Sequence, residues 1–495
     1  MATKTLTIDN WETGIVEDLH KMQNGGAADI ESLDIYDEPG VLKLGYKVTE
    51  MTEAAATNNI TTLVNTFAVY DQNASYEMYA GGPSGRMYAL DGSAPTSTWT
   101  LDNTTTGAVT DMKQFGEYLY YVSSAFISLG QYEGDTDTYT DALGNLSTTN
   151  TDKFLEVFAG NLVIGNDRYL DTLEPDHVSF NLAALTLPDG IVIYDMKVWN
   201  NYLAILGRFN TAFKTGVRLF LWDGISDYYQ EAFDQPHIYK GKLEVMDNNL
   251  FLVNREGVFV FNGANFDKLK DFGPLKGTTG NEMNPVRMIN YQNKLAFSVE
   301  GTSSPTNQNI YIYGRDSVDK NYSLSKLFVP INLTDSTKTV ALGGLGQIID
   351  ATGSDQNYLL FGVQGGIGTE YGIEIYNERV SASPRATAGT FITTIYDMGS
   401  PGVTKLFKRL KLNFKTPLST LESVTVSYKI DEEASWTSLY TADRFSANNL
   451  INIFRYGVNI QLRFVFAGTG DTPEMSSFDL TYEDKAIQSD RTIKL

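Results

Sequence analysis

The chain has 495 residues, no cysteine, 38 Lys and Arg against 60 Asp and Glu, and a formal net charge of −22. Without cysteine there is no disulfide staple, thiolate metal site or cysteine nucleophile, and a surface this acidic repels phosphate backbones and disfavours a nucleic-acid-binding groove. The opening MATKTLTIDNWETG is polar and lacks the apolar core of a signal peptide, and no stretch approaches the ~20 apolar residues of a membrane helix, so no membrane insertion is expected.

Residues 1–57 hold turn signals, among them Asn24-Gly25-Gly26 and Pro39-Gly40, around short strands. They lack the period that follows and are expected to form an extended N-terminal arm. From residue 58 a repeat sets in. QFGEYLYYV, VFAGNLVIG, KVWNNYLAIL, EVMDNNLFLV and NYQNKLAFSV each place a leucine after a turn-forming Asn or Gly at the start of a β-run. These leucines, Leu119, Leu162, Leu203, Leu250 and Leu295, are spaced 43, 41, 47 and 45 residues apart. Met78 in ASYEMYAGG lies 41 residues before Leu119 and extends the series. After Leu295 the next equivalent is Leu359 in NYLLFGV, 64 residues on, and the excess near DSVDKNYSLSKLF and TDSTKTVALGGLG marks an insertion.

Partner runs recur beside them: RMYALDGS, RLFLWDGIS, GVFVFNGAN, NIYIYGRDS and GIEIYNERV alternate apolar and aromatic residues and then reach an Asp, Asn or Gly turn. Period-two alternation marks half-buried strands, and the turn residues mark hairpins. A unit of about 40–50 residues made of several short strands is the signature of a propeller blade. The fold expected is all-β, a β-propeller of about seven blades over residues 58–380.

The segment ERVSASPRATAG, 378–389, is rich in Ser, Ala and Pro and reads as a linker. Beyond it, longer alternating strands over 388–485 predict a C-terminal β-sandwich, and 486–495 a mobile tail.

No P-loop, dinucleotide fingerprint, HExxH or GxSxG motif occurs. His20, His177 and His237 are isolated in sequence, so no catalytic residue and no cofactor are assigned. DGSAPTSTW, Asp91 to Trp99, is the nearest fragment to a sialidase repeat, with the wrong spacing and no recurrence. In GDTDTYTDALG, Asp135, Asp137 and Asp141 alternate as calcium ligands do, but the Gly and closing Glu of a calcium loop are misplaced, which favours a solvated hairpin tip. The aromatic groups Trp222, Tyr228 and Tyr229, and Tyr118, Tyr120 and Tyr121, serve either blade packing or partner contact. Lys405, Lys408, Arg409, Lys411 and Lys415 form a basic strand in an acidic chain. They are candidates for contact with an acidic partner, the alternative being an edge strand whose lysines discourage aggregation.

The layout as a whole, from GG…ADIESLDIYDEPGVLKLGYKV through the aromatic-rich repeat to KLFKRLKLNFKT…SVTVSYKIDEEASW…NIQLRFVFAG, resembles the β-propeller tail proteins of tailed bacteriophages, including nozzle and DNA-stabilisation proteins. The resemblance implies a structural virion protein without catalytic residues. It would be one subunit of a homo-oligomeric ring in the tail, meeting other tail or adaptor proteins, with DNA passing through unbound. It implies folding in a bacterial host cytoplasm and residence in the virion. The arm would then reach a neighbouring subunit. The alternative is a carbohydrate-binding or glycan-cleaving propeller used in host recognition.

Overall fold

Four hairpins of the repeat turn on two residues that both have positive φ: Ala159-Gly160 (51° and 82°), Asn200-Asn201 (47° and 63°), Asp247-Asn248 (50° and 61°) and Gln292-Asn293 (49° and 61°). Positive φ at both central residues marks the type I′ turn, whose twist matches that of the strands it joins. The next strand starts at once, as Asn161–Asn166, Tyr202–Phe209, Asn249–Asn254 and Lys294–Glu300. Its leucine comes second and is driven into the core. Leu119, Leu162, Leu203, Leu250, Leu295 and Leu359 are all 0 % exposed, and Met78 is 2 % exposed.

The computed structural model describes residues 3–16, 18–20, 24–51, 60–72, 75–91, 98–124, 127–148, 153–209, 216–235, 241–272, 284–300, 309–315, 321–327, 341–349, 357–365, 370–377, 385–443 and 447–485. It divides into two compact units, residues 48–312 with 329–381, and residues 1–47 with 313–328 and 382–495.

In the larger unit each leucine hairpin grows into an antiparallel meander. The described strands within 66–104, 109–145, 153–186, 191–235 and 241–271 form four-stranded sheets in simple chain order. The strands Asn284–Tyr291, Lys294–Glu300 and Asn309–Gly314 continue the pattern. The final meander, Ala341–Ile349, Asn357–Gly365 and Glu370–Tyr376, takes its outer strand from Thr49–Glu50, through Ile375↔Thr49 and Glu374↔Glu50. The first strands of successive meanders each lie against the next, and Ala341–Ile349 lies against Thr66–Gln72, so the circuit closes. Sheets set radially about an axis are β-propeller architecture. Their cores lie between neighbouring sheets: Leu203, Ile205, Phe220 and Trp222 pack with Val163, Leu170 and Leu185, while Ala204, Leu206 and Leu221 on the opposite face pack with Leu243, Leu250 and Leu252. Where Ala341–Ile349 runs beside Val64, a Cβ on Gly343 would sit 1.8 Å from the Val64 carbonyl oxygen, so the paired glycines permit this approach.

In the smaller unit, Lys4–Ile8, Met475–Asp484, Lys405–Phe414 and Asn448–Gly457 form one sheet in that order. A second group runs Ser323–Leu327, Gly26–Glu31, Ala388–Thr393, Ile460–Gly468, Glu422–Ile430 and Thr437–Asp443. Burial alternates strictly along Ile460–Gly468, as a half-buried strand requires. The inward faces meet through rings: Phe464 and Phe478 at 5.1 Å, Trp11 and Phe391 at 5.2 Å.

Two expectations change here. Of the arm expected over 1–57, the described residues up to 47 are not an extended arm: Lys4–Ile8 pairs with Met475–Asp484 and Gly26–Glu31 with Ala388–Thr393, while Trp11, Ile30, Leu42 and Leu44 are buried, and 52–59 lie outside the described residues. Apolar side chains in this segment gain more by entering a sheet core than by staying extended in water. Residues 48–51, expected to belong to that arm, are part of the propeller unit. The expected insertion is partly structural, since Ser323–Leu327 belongs to the smaller unit, where Lys326 pairs with Asp29 at 2.9 Å and Glu31 at 3.0 Å. Residues 328–340, most of the linker and the tail 486–495 lie outside the described residues.

Candidate functional site: the propeller axis

The inner strands repeat a short pattern. Asp111-Met112-Lys113 recurs as Asp195-Met196-Lys197, and Leu155-Glu156 on the following sheet recurs as Leu243-Glu244. In both places the same bonds form. Asp111 Oδ2 accepts from the Leu155 amide at 2.9 Å, and Asp195 Oδ2 from the Leu243 amide at 2.7 Å. Lys113 meets Glu156 at 2.7 Å, and Lys197 meets Glu244 at 2.9 Å. Each first strand has an unpaired edge facing the axis, so its amides need acceptors from outside the sheet. The aspartates supply them, and each fastens one sheet to the next.

Asp111, Lys113, Glu156, Asp195 and Lys197 line a cavity of about 350 Å³ together with Lys242 and Arg287. Arg287 Nε donates to the Asn65 carbonyl at 3.1 Å, its Nη2 donates to the Thr110 carbonyl, and Asp111 lies 4.0 Å away. The Lys242 ammonium sits over the rings of Tyr194 at 4.8 Å and Phe154 at 5.1 Å, a cation–π arrangement. Burial pulls Lys197 down, but Glu244, Glu156 and Asp195 around it outweigh that and leave it above its ordinary value. Burial pushes Glu244 up, and the Lys197 ammonium offsets this only in part. Asp111, Glu156 and Asp195 are thus each engaged by a backbone amide or a cation. Asp195→Ala should strand the Leu243 amide and lower stability by about 1–3 kcal/mol, read as a drop in melting temperature, with Asp195→Asn losing less because it keeps an acceptor.

A second repeated device lies in the loops between the third and fourth strands. Asp176 accepts from the Val178 amide at 3.0 Å and the Ser179 amide at 2.8 Å, and Asp223 accepts from the Ile225 and Ser226 amides, both at 2.9 Å. Each also takes the serine hydroxyl, at 2.5 Å for Ser179 and 2.7 Å for Ser226. Asn262 repeats the amide part with Ala264 and Asn265. The Ser179 hydroxyl and the two amides hold Asp176 down at about 2. At Asp223 burial opposes the shift, but the Ser226 and Ile225 amides prevail and also leave it at about 2. Unfolded, an aspartate titrates near 3.9, so the stabilisation these loops contribute is present above about pH 4 and is lost as pH falls through about 2. Carboxyl chemical shifts followed by NMR should place both midpoints near 2, and Asp176→Asn should remove one of them.

The residues singled out from sequence fall as follows. Asp135 and Asp137 lie in the hairpin tip after Ser128–Glu133, Asp137 accepts from Tyr132 at 3.4 Å, and Asp141 accepts from Tyr121 at 2.5 Å. No group of three or more His, Asp or Glu able to hold a metal forms among the described residues, these three included. His177 packs against Tyr118 at 4.9 Å and Phe115 at 5.1 Å, and its Nδ1 bonds the Tyr120 hydroxyl at 2.9 Å. Tyr120, Tyr121 and Trp222 are buried, whereas Tyr228 is exposed. His237 and most of Asp91–Trp99 lie outside the described residues.

Lys405 is not a surface contact. It is 0 % exposed, and its ammonium donates to the carbonyls of Ser400 and Val403 at 2.8 Å and Val458 at 2.9 Å, using all three of its protons. Lys408 pairs with Glu483, and Lys415 pairs with Glu38 at 2.5 Å. Arg409 and Lys411 remain on the outside of the sheet, in register with Asn452 and Leu450. Sequence reasoning missed the axial cluster, although the recurrence of Asp-Met-Lys was visible.

No family model matches the chain, and no curated protein matches it. Among solved structures it is similar to YjhT, at 10% identity over 55% of this chain and 100% of that one with a TM-score of 0.41. It is similar to the WD40 β-propeller domain of Doa1, at 12% identity over 65% and 96% with a TM-score of 0.44. It is also similar to the WD40 repeats of RRP9, at 9% identity over 67% and 100% with a TM-score of 0.46. The strand order above, independent of these likenesses, carries the fold.

Proposed function

We propose that the chain is a structural, non-enzymatic subunit built from a seven-bladed propeller and a C-terminal β-sandwich. It works as one member of a homo-oligomeric ring in a bacteriophage tail, through which DNA passes unbound. The observation that carries the structural reading is the axis. In a propeller that binds or cleaves a small ligand, polar groups converge on the central opening and stay available. Here Asp111, Glu156 and Asp195 are taken up in fastening sheet to sheet. The closed circuit of first strands supports the blade count, and the ring contacts between Phe464 and Phe478 support the sandwich. The phage placement extends the resemblance of layout, and the −22 charge suits a wall that must not hold DNA. The protein would fold in the bacterial host cytoplasm and end in the virion, against other tail or adaptor proteins.

Immunogold electron microscopy of purified particles, with antibody raised against the chain, tests the placement. Label on the tail axis is the expected result, and particles free of label would overturn it.

A further inference from the structure

Two sets of exposed apolar side chains on this chain stand beside charges of opposite sign. The first is displayed by the Asx-locked loops of two successive propeller sheets. Val178 is 75 % exposed and Ile225 85 %, each at the same position of the Asp-x-Val/Ile-Ser loop, and Tyr228 is also exposed. Glu174 and Asp176 flank Val178 in sequence, Asp223 and Asp227 flank Ile225, and residues 169–189 and 219–235 contain no Lys or Arg. The aspartate bonds fix these loops before any partner arrives, so little ordering entropy remains to be lost on docking.

The second patch is on the smaller unit. Asn448–Gly457 is the edge strand of its four-stranded sheet and has ten residues. Leu450 is 63 % exposed and Tyr456 61 %, and Phe454 is exposed as well. Arg409 and Lys411 on the adjacent strand and Arg455 on the edge strand itself make its rim basic. The nearby carboxylate of Asp479 is already taken by Thr7 at 2.7 Å and Asn413 at 3.2 Å. A long apolar edge of this kind calls for cover.

We infer that the two patches are the halves of one heterologous interface, the acidic blade loops of one copy receiving the basic edge strand of the next. The inference deepens the oligomeric reading above and rests on it. The occupant of each patch is a second copy of this chain because the complementary charge and the complementary apolar surface lie on the same molecule. A contact between unlike surfaces propagates head to tail and closes into a ring when the rotation allows.

Native mass spectrometry of the full chain tests it with two exposed-site variants, Ile225→Asp with Tyr228→Asp and Leu450→Glu with Tyr456→Glu. Circular dichroism and melting temperature verify the fold of each, and Arg409→Glu with Lys411→Glu replaces the second if it melts early. The parent should assemble. Each variant alone should run at the 54.9 kDa of one chain. The equimolar mixture should give a species of twice that mass, because each variant keeps the half that the other lacks. Either variant assembling as the parent does, or a mixture that stays monomeric, overturns the inference. If the parent assembles while a variant does too, the ring reading survives and this interface does not; a monomeric parent removes both.

Discussion

Trp11→Ala should destabilise the smaller unit by about 3–5 kcal/mol, the range for removing a fully packed aromatic side chain. Trp11 is 1 % exposed and lies edge-on to Phe391 at 5.2 Å and tilted against Phe478 at 6.1 Å. Its loss would open a cavity where a residue near the N-terminus packs against the C-terminal strands Ala388–Thr393 and Met475–Asp484. Trp11→Phe should cost much less, because the indole N–H makes no hydrogen bond among the described residues and only ring volume is lost. Denaturant melts of the two variants separate the outcomes. If residues 1–47 were an arm laid on a finished domain, both substitutions would leave the melt almost unchanged.

Leu203→Ala should cost about 2–5 kcal/mol in the propeller, the range seen for buried leucines. Leu203 is 0 % exposed and packs with Ile205, Phe220 and Trp222 in the core between two sheets. Leu182 on the neighbouring sheet is 49 % exposed. Leu182→Ala is the control and should stay within about 0.5 kcal/mol of the parent. Equal losses at the two positions would mean that the period does not mark the core.

The repeat was legible because its signals are local. A turn such as Asn200-Asn201 supplies the positive φ of the hairpin, and the leucine three residues after Asn200 follows from the pairing register that turn imposes. The union of residues 1–47 with 382–495 was not legible, since the pairing Lys4↔Tyr482 spans nearly the whole chain and leaves no mark at either end. Nor could local pattern show that Thr49–Glu50 completes the last sheet. Lys405 was misread for a different reason. Positive charge argues for the surface, but Lys405 shares the inward phase of Phe407, and three carbonyls take the place of water around it. The strand slips register between Phe407 and Arg409, which turns Arg409 outward while Leu410, Leu412 and Phe414 stay in the core. At the axis the signal was present as the recurrence of Asp-Met-Lys, but its purpose emerges only when Asp195 is seen against the Leu243 amide.

Electron microscopy of the purified full-length protein tests the central claim most directly. A closed ring of identical subunits around an open centre is the predicted result. A uniform population of single 54.9 kDa particles at micromolar concentration would contradict the proposed role.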